Sequence, residues 1–133
     1  MNASDTLLSI YREADAALAA AGCQCRACGR CCDFAANDYL LYASRLESEL
    51  VIDKTGRRPE LIAGRCCFQD ALGRCTIHAW RPLGCRTFFC KTSCGNVSDQ
   101  QKYSESVHEK ALDQIKKLMI DSGMEWQYGR FFG

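Results

Sequence analysis

All eleven cysteines of the chain lie between Cys23 and Cys94, and five of them occupy ten positions, "CQCRACGRCC" at residues 23–32. This clustering limits the fold more than any helix or strand pattern, because thiols held so close must be paired, metal-bound or kept reduced in a packed interior. Eleven cysteines in 133 residues is about 8%, a density that marks a chain stapled by disulfides or metal. Of the 47% of residues that count as hydrophobic, only about 39% is ordinary core material once cysteine is set aside.

The redox compartment decides between the two kinds of staple. The start, "MNASDTLLSIYREADAALAAAGC", ends in small residues before Cys23. It lacks the basic start and uninterrupted apolar stretch of an export signal, and it carries Asp5, Glu13 and Asp15. No run approaches the roughly 18 apolar residues of a membrane span. The expectation is a cytoplasmic protein with reduced thiols, and an odd count of eleven also fits poorly with complete pairing in one chain.

Charge is nearly balanced, 17 basic against 16 acidic residues, which argues against nucleic acid as a partner. Its distribution is more telling. Arg26, Arg30, Arg65, Arg74, Arg81 and Arg86 all lie within four residues of a cysteine. Four thiolates on Zn(II), or on an oxidised four-iron cluster, leave about −2 of charge, which neighbouring guanidinium groups would offset.

Two helices are expected to flank the cysteine-rich centre. Leu7, Ile10, Tyr11, Ala14 and Leu18 share one face of a helix over Asp5–Ala21, with Ser4 as its cap and Gly22 as its stop. In the last segment Ser98 and Gln101 form a capping-box pattern, Tyr103, Val107, Ala111, Ile115 and Leu118 follow at helical spacing, and Gly123 ends the run. His108, inside that helix, is expected to be solvated. In "DYLLYASRLESELVI" a second box, Ser44 with Glu47, divides a short strand over Tyr39–Tyr42 from a helix that starts at Arg45 and ends near Asp53. "TGRRPE" reads as a loop, and "FQDALGRCTIH" as a small hairpin turning at Leu72-Gly73. The terminal "WQYGRFFG" is expected to pack over the metal centre. The fold class predicted is α+β, mostly helical, in a single domain over residues 1–133: a small cysteine-rich centre with short strands between N- and C-terminal helices.

Cys25, Cys28 and Cys31 form C-x2-C-x2-C, the spacing with which bacterial ferredoxins begin an iron–sulfur site that a remote cysteine completes. Gly29 lets backbone approach such a site and donate to sulfur. The Cys-Pro pair of the ferredoxin pattern is missing, and Pro82 precedes Cys85 by three residues instead. Zinc needs only four sulfur or nitrogen ligands, and Cys66, Cys75, Cys85 and Cys90 form one such set, with Cys75-x2-His78 a mixed alternative. Adjacent side chains in extended chain point opposite ways, so Cys31 and Cys32 suit two different sites, as do Cys66 and Cys67.

"CRACGRCC", followed by "CCFQDALGRCTIHAWRPLGCRTF", resembles the CxxCxxCC, or YkgJ-like, family of zinc- or iron-chelating proteins over roughly Gly22 to Phe89. The resemblance places the family cysteines on Cys25, Cys28, Cys31, Cys32, Cys66, Cys75 and Cys85, with Arg81-Pro82 and Arg86 as companions. Cys23, Cys67, Cys90 and Cys94 are extras of this chain, and His78 stands where the family usually has tyrosine. Seven family cysteines and Cys90 make eight, enough for two four-thiolate sites. The flagellin lysine methylases contain a similar cysteine-rich region, but this chain has no Gly-rich nucleotide loop. Three functions follow as expectations. The first is a four-iron cluster protein serving electron transfer or an accessory role, with a protein partner from a redox or a methylation and maturation system. The second is a zinc-stapled interaction module. The third is a cysteine-dependent sulfur, metal or methyl transferase.

Overall fold

The structure is a computed structural model, and it describes residues 2–22, 40–87 and 98–132. Helix α1 spans Ala3–Ala20 and buries the five residues its periodicity selects, Leu7, Ile10, Tyr11, Ala14 and Leu18. Its cap differs from expectation. Asn2, rather than Ser4, accepts a bond from the Asp5 amide at 2.9 Å, and the helix begins two residues earlier. Either side chain suits the position chemically, so the choice rests on how far the helix extends. Gly22, at φ 84°, ends it as predicted.

Strand β1 (Tyr42–Ser44) runs directly into α2 (Arg45–Thr55) through the predicted capping box. The strand is displaced from the expected Tyr39–Tyr42. Tyr39 lies outside the described residues, and Leu40 and Leu41 precede the ladder. A strand exists only where a partner supplies hydrogen bonds, and here the partner is β4 (Tyr128–Arg130) from the other end of the chain. The two pair antiparallel, Tyr42 opposite Arg130 and Ser44 opposite Tyr128. The terminal aromatic segment therefore supplies a strand that its composition did not announce.

After α2, Gly56 at φ 70° opens the expected loop. Then β2 (Leu61–Ile62) and β3 (Arg65–Cys66) form an unforeseen hairpin. Its two turn residues, Ala63 at φ 51° and Gly64 at φ 79°, are both left-handed, as a twist-compatible two-residue turn requires. The small hairpin expected over 68–78 is present without a regular strand ladder: Gln69 bridges Cys75 antiparallel, the Asp70 amide donates to the Arg74 carbonyl at 2.8 Å and the Thr76 amide to the Phe68 carbonyl at 2.9 Å. Asp70 holds its turn by accepting from the Leu72 and Arg74 amides, each at 2.9 Å. A 3-10 turn (His78–Trp80) leads through Arg81-Pro82 to the short α3 (Leu83–Arg86).

Helix α4 covers Ser98–Asp121 and stops at Gly123, φ 78°. Its expected capping box falls outside the described side chains. Ala111 and Ile115 are buried as predicted, but Met119 and Ser104 complete the buried face, while Val107 and Leu118 are half-buried and Tyr103 is exposed. The i, i+4 row from Ala111 through Ile115 to Met119 is the one that enters the core against α1.

The core has two parts. Leu7, Ile10 and Tyr11 of α1 pack with Leu46 and Leu50 of α2, Leu83 of α3, and Ala111, Ile115 and Met119 of α4. Leu41, Ala43, Val51, Cys66, Phe68, Ile77 and Phe131 form the second, and Trp80 packs against both. The mostly helical α+β class agrees with the prediction.

Candidate metal centre

Of the candidate residues, Cys25, Cys28, Cys31, Cys32, Cys90, Arg26, Gly29 and Arg30 lie outside the described residues, as do Cys23 and Cys94. The described thiols gather on the second core. Cys66 is a buried member of it, and Cys67, Cys75 and Cys85 pack against it, half-buried. None of the four is in a disulfide. Phe131 belongs to the same cluster and meets Phe132 edge-on, ring centroids 5.0 Å apart, so this part of the terminal aromatic segment joins the core on which the four described cysteines lie. Trp126 and Tyr128 stack elsewhere, against each other and Tyr42.

Local structure places each thiol. Cys66 pairs with Leu61 in the β2–β3 hairpin. The Cys67 amide donates to the Glu60 carbonyl at 3.0 Å, and its thiol points at the Arg58 carbonyl, 4.0 Å away. Burial pushes the Cys67 thiol up, the reverse of an activated nucleophile. Cys75 faces Gln69 across the isolated bridge, and Cys85 sits in α3 with its amide bonded to the Pro82 carbonyl at 3.0 Å.

Among the described residues no three His, Cys, Asp or Glu side chains converge as a metal-holding group. The four described thiols therefore do not form a cage by themselves. Reduced thiols shielded by apolar side chains fit a soft metal ion or an iron–sulfur cluster. His78 is largely exposed and joins no ligand group among the described residues. Partial burial, then the charges of Arg81 and Arg86, lowers its pKa.

Both arginines of the "RPLGCR" segment are buried. Arg81 donates from Nε to the His78 carbonyl at 3.1 Å and from Nη1 to the Cys85 carbonyl at 3.3 Å. Arg86 donates to the Arg81 carbonyl (2.8 Å), the Ala79 carbonyl (2.7 Å) and Asp15 Oδ2 (2.6 Å). Its guanidinium also lies 4.0 Å from the centre of the Tyr11 ring, a cation–π distance. Burial lowers its pKa, from so high a value that it remains cationic.

Glu47 was legible only as a cap. Its side chain is 1% exposed and accepts four bonds. Oε2 takes the Ser44 amide and hydroxyl, each at 2.9 Å, and Oε1 takes the Tyr11 hydroxyl at 2.9 Å and the Leu83 amide at 2.7 Å. Four donors satisfy a carboxylate that would otherwise be costly to bury. Burial, then Glu47, raises the Tyr11 pKa, so the phenol stays a donor. The cap pattern could reveal the first two bonds; the other two join residues 36 apart in sequence and needed the fold.

His108 is a correction. Instead of being solvated, the ring is half-buried with Nδ1 2.6 Å from the Thr87 hydroxyl. Ser104 donates to the Thr87 carbonyl, also at 2.6 Å, and Thr87 donates to the Leu83 carbonyl at 3.0 Å. Burial lowers the His108 pKa and favours the neutral ring. Position 108 faces α3 rather than water because α4 turns its Ser104 row toward that segment.

A model of the CxxCxxCC family, described as "Putative zinc- or iron-chelating domain", matches residues 24–110. The chain belongs to this family. No curated protein and no solved structure matches it. The matched stretch contains every cysteine except Cys23 and ends within α4, leaving α1 and β4 outside. Among the described residues no helix is long and apolar enough to cross a membrane.

Proposed function

We propose that this CxxCxxCC domain holds a four-iron iron–sulfur cluster and serves as a small electron-transfer or accessory protein for a protein partner. The observation that carries this reading is the spacing of Cys25, Cys28 and Cys31, three thiols at intervals of three, as in ferredoxins. The remote ligand is drawn from Cys66, Cys75, Cys85 and Cys90, of which the first three gather on the second core. Cys32, next to Cys31 in sequence, is left for a second site on this reading. Zinc is the competing occupant, and a zinc-stapled module would need no redox partner. Transferase chemistry is the third reading, and a thiol not needed for the metal would have to carry it.

Anaerobic purification with iron, zinc and acid-labile sulfide assays separates the readings. Iron and sulfide in equal amounts, with visible charge-transfer absorption that bleaches on reduction, is the expected result. Zinc at one or two per chain without iron or sulfide sinks the cluster reading and leaves the zinc module.

A further inference from the structure

We infer that α1, which lies outside the matched family stretch, is a latch on the metal centre: Asp15 and Tyr11 hold Arg86 beside Cys85, so that docking of α1 and binding of metal strengthen each other. The inference rests on the metal-binding reading above and adds a control element to it.

Arg86 directly follows Cys85, and its guanidinium is bound on both edges and on one face. Asp15 takes Nη1 at 2.6 Å, the Ala79 and Arg81 carbonyls take Nη2 and Nε, and Tyr11 underlies the plane. Arg81 then closes back on the Cys85 carbonyl. A second tie runs through Glu47, whose Oε1 accepts from both the Tyr11 hydroxyl and the Leu83 amide at the start of α3. The Cys85 segment is thus tied to α1 by an ion pair, a ring contact and a shared carboxylate.

In sequence, α1 leads through Gly22 straight into the run Cys23–Cys32. A metal that draws sulfur from that run and from Cys85 closes a ring, joined covalently on one side and by the Arg86 latch on the other. Closing such a ring is easier when α1 and α3 are already held together, because less chain entropy is lost. Linkage then requires the reverse: metal that favours the closed ring must also favour the docked helix, by the same factor. Arg86 is 8% exposed, whereas the Asp15 side chain is 42% exposed, so the latch can be weakened from its solvent side without opening the core.

The test uses the full chain and zinc(II) alone, which thiolate sites accept whether or not it is their natural ion. Zinc affinity is measured by competition with a chromophoric chelator, and α1 exposure by amide hydrogen exchange with and without zinc. Asp15→Asn and Tyr11→Phe are each expected to lower affinity about five- to tenfold, the weaker end of typical site-to-site coupling. Zinc should slow exchange across Ala3–Ala20 in the parent protein and do so less in Asp15→Asn. Glu13→Gln, on α1 like Asp15, which loses an exposed pair to Lys110 of α4 (3.8 Å), should leave affinity unchanged. If the parent binds zinc while both latch variants keep its affinity and α1 exchange ignores the metal, the latch is wrong and the metal reading stands. If the parent takes up no zinc, and no iron with sulfide, the metal reading fails and the latch falls with it.

Discussion

Glu47 shows how one side chain comes to serve several elements. As a capping-box residue it closes the start of α2, a role worth about 1 kcal/mol in most proteins. Its other oxygen receives Tyr11 and Leu83, so truncation would also strand two buried donors, each costing about 1–3 kcal/mol. Glu47→Ala is therefore expected to lose roughly 3–5 kcal/mol and Ser44→Ala only about 1–2, compared by urea melts of the two variants. Equal losses would mean that Glu47 acts as a cap alone. Gly84 illustrates close approach instead. A Cβ at this position would sit 2.5 Å from Leu41 Cδ1, a side chain held in the second core, so α3 can lie against β1 only without it. Gly84→Ala should cost about 1–3 kcal/mol by overpacking. A melt no lower than the parent's would show that Leu41 has room to turn aside.

At the scale of elements, α3 is only four residues long, Leu83–Arg86, and could not stand without neighbours. It is held at its start by Glu47, at its end by Thr87, Ser104 and His108, and along its side by α1. His108 ties this contact to pH. Its folded pKa lies below the ordinary 6.5, so below that value the unfolded chain takes up more protons than the folded one. The stability it contributes is fully present above about pH 6.5 and is lost as the pH falls through the window beneath it. Melts between pH 5 and 7.5 should show a decline in the parent that is shallower in His108→Gln; parallel curves would place the ring in water after all. The flanking helices were legible because an apolar row at i, i+3, i+4 needs no knowledge of what covers it. The strands were legible only in part, since the one expected over Tyr39–Tyr42 lies at Tyr42–Ser44. Tyr128–Arg130 carries one tyrosine, one glycine and one arginine, all exposed, and becomes a strand only because Tyr42–Ser44 lies beside it.

On the scale of the whole molecule, the two core clusters predict unequal dependence on metal. The first is built from helix faces of Leu, Ile and Met, while the second joins Val51 of α2 to short irregular pieces, with the four described cysteines in it or against it. A structural metal is worth ~10–16 kcal/mol of apparent binding energy in small domains, enough to decide whether such a cluster holds. Chelation should therefore speed amide exchange first over residues 61–77, and through the latch over α1, while α2 and the middle of α4 keep their protection. Uniform loss of protection would show one cooperative unit instead. The same division explains what of the site was legible. Cys66, Cys75 and Cys85 were picked out by their order in the family pattern, and the fold gathers them on one cluster. Tyr11, Asp15 and Glu47 were not, since a tyrosine on an apolar stripe and two acids on helices look ordinary until Arg86 is set among them.

By itself the sequence determined the inventory and the local shapes: a metal-seeking set of thiols, two amphipathic helices, the Ser44–Glu47 box, and glycine stops at 22 and 123. These depend on spacing along the chain and on backbone preferences that act over a few residues. Only the tertiary structure decided the pairing of β1 with β4, the four-donor environment of Glu47, the half-buried ring of His108 and the clasp of Arg86 on α1. Each of those joins residues far apart in sequence, where burial rather than propensity determines which polar groups must find one another.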